Sequence, residues 1–298
     1  MSGTASASSP LAAGDAVRVQ RALIWVEGPD AEGFLHGLLS NDVTHLAPGE
    51  SRRALLLDAR GRVVADTTVH RDGEEAFTLI LEPDLGPTMA AALERYHFSE
   101  DLEILGPEPA EAVVTLASMP AAPGDIAVQG PLPGSHEVVV ADPAAAIADA
   151  GLTERPAAAL EVARVLAGVP RVGTDTGPTT LVQEAGLEDV AVSFDKGCYL
   201  GQETVARAQF RGRVNRVLRG LRLHGAAPQP GAAVHLGERE VGTLTSVVTD
   251  TDLGAVGLAI IRREVDPGTE VAVVPAAGEA LTATVADLPF AVDGDPAP

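Results

Sequence analysis

The chain's one cysteine, Cys198, lies in the stretch DKGCYLGQETVARAQFRGRVNR, residues 195–216. A thiol can serve as a nucleophile or a redox centre, and it does so as the thiolate. Gly197 and Gly201 keep a regular helix from running through KGCYLG, whereas QETVARAQF reads as a helix beginning near Gly201. A thiol just ahead of a helix N-terminus sits near roughly half a positive charge, and Lys196 and Arg207 are close in sequence. Both features favour the thiolate and describe a reactive, exposed cysteine. The other reading is a cysteine filling a small apolar hole, since free cysteines are among the most buried side chains. Gln202 and Glu203 can form a cap pair, because the dipole favours a carboxylate at a helix start whatever its function. Arg207, Arg211 and Arg213 can grip an anionic tail or a phosphate, or can be solvated charges offsetting an acidic remainder.

That remainder is strongly acidic. The 298 residues hold 42 Asp and Glu against 21 Lys and Arg, a net charge of -21. Such a chain stays in solution and is repelled on average by nucleic acid and anionic membranes. From Lys196 to Arg222 the balance inverts, with seven basic residues against Glu203 alone. No aromatics alternate with those arginines to stack bases, so nucleic acid is not an expected partner. A single cysteine excludes an internal disulfide. It also excludes a metal or iron–sulfur site built from several thiolates of this chain alone, and it fits a cytoplasmic location. MSGTASASSPLAAGD lacks the basic start and apolar run of a secretory signal, so residues 1–14 read as a disordered tail. No apolar run reaches membrane-spanning length. GxxxxGK[ST], a GxGxxG after a strand, HExxH and GxSxG are all missing. The seven histidines have no ligand-like spacing, and no metal is expected.

The elements that must position the thiol follow from periodicity. Residues 16–28 read as a strand, and PDAEGFLHGLLS as a helix with Phe34, Leu35, Leu38 and Leu39 on one stripe. Residues 51–70 are two strands around a tight turn at Gly61. A strand (EAFTLILE), a helix (LGPTMAAALERYHF), two strands (AEAVVTLAS, HEVVVAD) and a short helix closed by Gly151 come next. This order predicts an α+β fold with helices on one face of a largely antiparallel sheet. Residues 155–168 predict a helix stopped by Gly168, and residues 169–186 an extended loop. After Arg216 short strands split by turns predict a small all-β barrel or sandwich.

KGCYLGQE, followed by VARAQFRG, resembles the signature of the YgfZ-type folate-binding proteins, relatives of the aminomethyltransferase (T-protein) of the glycine cleavage system. FLHGLLSNDVTHLAPGE, LLLDARGRVVAD, RVLAGVPRVGTDT and the β-rich end extend the resemblance over most of residues 17–290. It implies two interlocked α+β portions around a central folate channel over 15–215, a C-terminal β-barrel over 216–290 and a tail over 291–298. It implies tetrahydrofolate or a derivative as cofactor, and iron–sulfur proteins as clients. The implied role is an accessory factor for assembly or repair of iron–sulfur enzymes, including those that thiolate transfer RNA. It assigns Cys198 and Lys196 as the working pair. Gly197, Tyr199, Gly201, Gln202 and Glu203 of the same motif go with them, and Arg207, Arg164, Asp58 and Asp66 join these as folate-binding residues.

Two positions depart from the T-protein. Its Arg-x-Glu-Ala-Gly reads Arg164-Val165-Leu166-Ala167-Gly168 here, and leucine cannot pair with a pterin's adjacent N–H groups as a carboxylate does. Its Asp-Asp pair reads Ala65-Asp66. Both departures weigh against one alternative, a folate-dependent aminomethyltransferase or demethylase. The other alternative is a protein or RNA interaction module without folate, using the arginine-rich face.

Overall fold

A computed structural model describes residues 11–290 except Arg211, Arg213 and Thr251. Most of the expected tails and two of the arginines singled out above therefore lie outside the described residues. The first part is built on β1 (Asp15–Glu27), whose thirteen residues pair with partners on both sides. Helix α1 (Ala31–Leu38) follows, then β2 (Ser51–Leu57), β3 (Val63–Arg71) and β4 (Ala76–Leu81). Helix α2 (Gly86–Tyr96), β5 (Glu103–Thr115), β6 (Ile126–Gln129), β7 (His136–Val140), α3 (Pro143–Asp149) and β8 (Thr153–Arg155) complete it. The sheet runs β2-β3-β4-β1-β5-β7-β6 with antiparallel neighbours, and β8 adds in parallel to the start of β1.

Alternation along β1 explains its two-sided burial. Ile24 and Val26 enter the main core beneath α1 and α2, together with Phe34, Leu35, Phe77 and Leu79. Leu23 faces the other way, into a smaller cluster with Ile80, Ala112, Val128 and Val139. The sheet curls until edge strand β6 meets β2 and β3. The first half of β5, EILGPEP, has no strand-like alternation, yet it pairs with β1 as far as Glu27↔Glu103 on either side of a break at Gly106 and Pro107. Pairing to a long partner overrode its weak intrinsic preference.

Helix α4 (Ala157–Leu166) leads to the joint with the second part. The stretch expected to be an extended loop ends in a short helix, α5 (Val182–Ala185), closed by Gly186 at φ 70°. After α6 (Glu188–Ala191) comes the cysteine segment, then α7 (Gln202–Phe210), which begins where the glycine spacing places it. Strands β9 (Arg216–His224), β10 (Ala233–Leu236), β11 (Arg239–Asp250), β12 (Gly254–Arg262), β13 (Glu270–Val274) and β14 (Leu281–Ala286) close into a barrel, order β10-β11-β12-β9-β14-β13. Closure removes exposed strand edges and selects the barrel over the sandwich. Leu221, Val234, Leu244, Ile261, Val273 and Val285 fill its interior.

Val162 and Val165 of α4 pack on Val248, Val256, Leu258 and Phe290 at the joint. A buried polar knot lies alongside. Arg164 donates to Asp175 (2.7 Å), Ser246 (2.7 Å) and the Val169 carbonyl (2.7 Å), and pairs with Glu161 (2.6 Å). The Asp175 carboxylate also accepts from Thr245 (2.5 Å), Ser246 (2.7 Å) and the Arg171 N–H (2.9 Å). Burial opposes charge on Arg164, but Glu161 and Asp175 outweigh it and raise its pKa.

Candidate functional site

The cysteine segment is pinned by the residues on either side of the thiol. Helix α1 ends with carbonyls that have no helical partner, and a cation is favoured there. Lys196 supplies it: Nζ donates to the carbonyls of His36 (2.5 Å), Leu39 (2.6 Å) and Asn41 (2.9 Å). Lys196 is 8% exposed, and burial lowers its pKa to about 8, with Asp42 pulling the other way. Its ammonium lies 5.1 Å from the ring centre of Tyr199. Tyr199 is itself buried in the main core, where desolvation pushes its pKa up to about 12.

The far end is fixed by two glycines in contact. Gly201 (φ 82°) packs so tightly on the β2–β3 turn that a Cβ there would lie 2.5 Å from the Asp58 carbonyl oxygen. A Cβ on Gly61 (φ 71°) would lie 3.0 Å from Thr204 Cβ. The Asp58 carboxylate shapes this turn by accepting the Arg60 and Arg62 N–H groups at 2.8 and 2.9 Å. Val205 of α7 enters the main core below. Cys198, between buried Lys196 and buried Tyr199, is itself exposed. The hole-filling reading of this cysteine therefore fails.

Two residues that spacing did not flag stand beside the thiol segment. A Cβ on Gly197 would lie 3.8 Å from His36 Nε2. The buried His36 Nδ1 lies 3.4 Å from Asp42 Oδ1 without a hydrogen bond. Burial, then the charge of Lys196, lowers the His36 pKa, so the ring is neutral at neutral pH. Burial resists ionisation of Asp42, but hydrogen bonds from Thr44 and His45 hold its carboxyl well below the usual range. His36 lies 160 positions from Lys196; only the fold joins them, and no local sequence signal could have.

The other expected site residues separate into groups. Gln202 reaches back to the Gly197 carbonyl at 3.4 Å, and Glu203 pairs with Arg207 (2.8 Å) on the exposed face of α7. Asp66 forms a forked ion pair with Arg53, with Arg53 Nε 3.1 Å from each carboxylate oxygen. Arg164 belongs to the knot at the barrel joint. Ala65 is fully buried in the main core, and Leu166 packs in the apolar cluster at that joint.

A cavity of about 660 Å³ lies between β2 and the β6–β7 hairpin. Leu46, Met119, Val128 and Val138 give it apolar wall, and Arg52, Gln129 and Glu137 give it polar groups. Glu137 is held by Nε and Nη2 of Arg21 at 2.7 and 3.0 Å. Cys198 and the motif around it are not among the lining residues. The loop after α1 joins the two places: Asn41 accepts from Lys196 and donates to the Arg53 carbonyl (2.9 Å), while Arg52 donates to the Asp42 carbonyl (2.8 Å).

Two family descriptions match the sequence. These are the GCVT N-terminal domain over residues 20–141 and the glycine cleavage T-protein C-terminal barrel domain over residues 216–291. The chain is 28% identical to the tRNA-modifying protein YgfZ of Cronobacter sakazakii, covering 91% of each. It is also 28% identical to the mitochondrial iron–sulfur cluster assembly factor IBA57 homolog of Phaeosphaeria nodorum, over 87% of this chain and 73% of that one. Among solved structures, the aminomethyltransferase T of the Bartonella henselae glycine cleavage system superposes with a TM-score of 0.77. It has 21% identity, with 96% of this chain and 88% of that one covered. That likeness is one of fold.

Proposed function

The chain belongs to the GCVT family, with its N-terminal domain and its C-terminal barrel, and from that premise we propose a folate-binding accessory factor for iron–sulfur enzymes. The clients include enzymes that thiolate transfer RNA, the setting is the cytoplasm, and Cys198 is the working group. The observation that carries this reading is an exposed thiol on a segment whose flanks are buried and tied down. A fixed scaffold presenting one reactive group is the arrangement a functional site needs. The names borne by relatives over nearly the full chain, tRNA-modifying protein and iron–sulfur cluster assembly factor, agree with it.

One thiol can hold an iron–sulfur centre only by sharing ligands with another protein. Cys198 therefore acts on a client. Lys196 is a positioning residue, since its ammonium hydrogens are committed to three carbonyls.

The 660 Å³ cavity has the size of a small-molecule site, and its residues fit a folate. Arg52 suits the carboxylate tail, the apolar wall suits the ring, and Gln129 offers hydrogen-bond partners, whereas both Glu137 oxygens are taken by Arg21. Tetrahydrofolate, once bound, supplies a carrier for one-carbon units. Aminomethyl transfer is the weaker reading: Ala65 and Leu166 bring no carboxylate, and Asp66 is engaged by Arg53.

Calorimetry with tetrahydrofolate tests the ligand half. Saturable heat is expected, and no heat and no thermal shift at millimolar ligand would remove folate from the account. An Arg52→Ala variant should weaken that binding about tenfold or more, the effect of losing a charged hydrogen bond.

A further inference from the structure

The cysteine motif contributes nothing to the lining of the cavity between β2 and the β6–β7 hairpin, yet a run of hydrogen bonds leads from one to the other. Arg52, on the cavity wall, donates from Nη1 to the Asp42 carbonyl at 2.8 Å. The Asp42 N–H donates to Asn41 Oδ1 at 2.9 Å, and the Asn41 side-chain amide donates to the Arg53 carbonyl at 2.9 Å. The Asn41 carbonyl accepts from Lys196 Nζ at 2.9 Å. Lys196 stands two positions before the thiol. The Asn41–Asp42 turn is therefore gripped by Arg52 from the cavity side and by Lys196 from the cysteine side.

A guanidinium presents five N–H donors in a rigid fork. One is engaged by the Asp42 carbonyl, and the edge formed by Nε and Nη2 pairs with no other described residue. A carboxylate takes such an edge with two parallel bonds, so it can bind Arg52 without displacing it from Asp42. Fixing the guanidinium then holds the turn, and with it the Lys196 anchor, more firmly. Such a network couples two places when both bias one two-state element; the element here is the turn, held or released. We propose that Arg52 is a positioning residue for Cys198, acting through the Asn41–Asp42 turn, and that a carboxylate on its free edge tightens that hold and slows reaction of the thiol. The inference rests on the folate reading for the natural carboxylate, a folate's glutamate tail; the relay from Arg52 to Lys196 does not depend on it.

Alkylation of Cys198 by iodoacetamide, followed by mass spectrometry on the full chain, reads the relay. Arg52→Ala should raise the rate about threefold or more, the size of effect that substitutions along a coupling network produce. Arg52→Lys, which keeps a donor for the Asp42 carbonyl, should stay near the native rate. His136→Ala, on the same cavity wall but outside the relay, should do the same. Lys196→Met should also raise the rate, and combining it with Arg52→Ala should give no more than the faster single variant, because both act through one turn. Saturating tetrahydrofolate should slow the native chain about threefold and leave Arg52→Ala unaffected. An unchanged rate in Arg52→Ala, effects that multiply in the double variant, or tetrahydrofolate that binds by calorimetry without slowing alkylation would each overturn the proposal. If tetrahydrofolate gives no heat while Arg52→Ala still reacts faster, the folate reading falls and the relay, read from the variants alone, is upheld.

Discussion

Lys196 is a cation without a carboxylate hydrogen bond, held instead by three carbonyls. In the folded protein its amine titrates near 8, whereas an unfolded lysine keeps its proton to about 10.4. Between those values the unfolded chain binds more protons, so this group makes stability rise with pH across that window. Denaturant titrations at pH 7.5 and pH 10.5 should show the rise in the native chain but not in Lys196→Met. Equal pH dependence in both would refute the assignment. At pH 7 Lys196→Met should cost about 2 kcal/mol, since it leaves buried carbonyls unpaired. Cys198→Ala, on an exposed side chain, should change stability by no more than about 0.5 kcal/mol. The motif was legible because KGCYLGQE is contiguous. The exposure of its thiol was not, because a glycine-flanked cysteine before a helix fits a buried hole equally well. His36 and Asp42 were invisible, since a buried lysine from a distant segment brings them to the site.

At the scale of elements, the β2–β3 turn and the start of α7 are built for each other. Both glycines sit at positive φ and touch, so neither position admits a side chain. Gly201→Ala should destabilise the protein by about 2 kcal/mol or more. It should also change the alkylation rate of Cys198 with a small thiol reagent, by releasing the segment from the Asp58 turn. An unchanged rate would mean that the glycine contact does not set the thiol's exposure. The helix at 202–210 was readable from its glycines and apolar spacing. The polar half of β5 was not, because its strand state comes from pairing with β1 rather than from its own residues.

Across the whole molecule, the barrel is joined to the first part by the apolar contact of α4 and by the Arg164–Asp175 knot. Asp175→Ala removes a fully buried carboxylate from the Arg164 guanidinium and from two hydroxyl donors at once. A cost of about 3–5 kcal/mol is expected, with faster amide exchange along α4 and β11 than within the barrel interior. Uniform exchange changes would argue against a localised joint. Periodicity alone could read two parts and a β-rich end, but not the curl of the sheet that forms the large cavity. That curl depends on strands β6 and β2, far apart in sequence, meeting at the edges. On the proposed function, a two-part scaffold presents Cys198 to iron–sulfur clients. The most direct test of that claim is thiolated transfer RNA content in a strain lacking this chain, rescued with wild type or with Cys198→Ala at matched protein levels. Wild type should restore the modification and Cys198→Ala should not; full restoration by Cys198→Ala would contradict the claim.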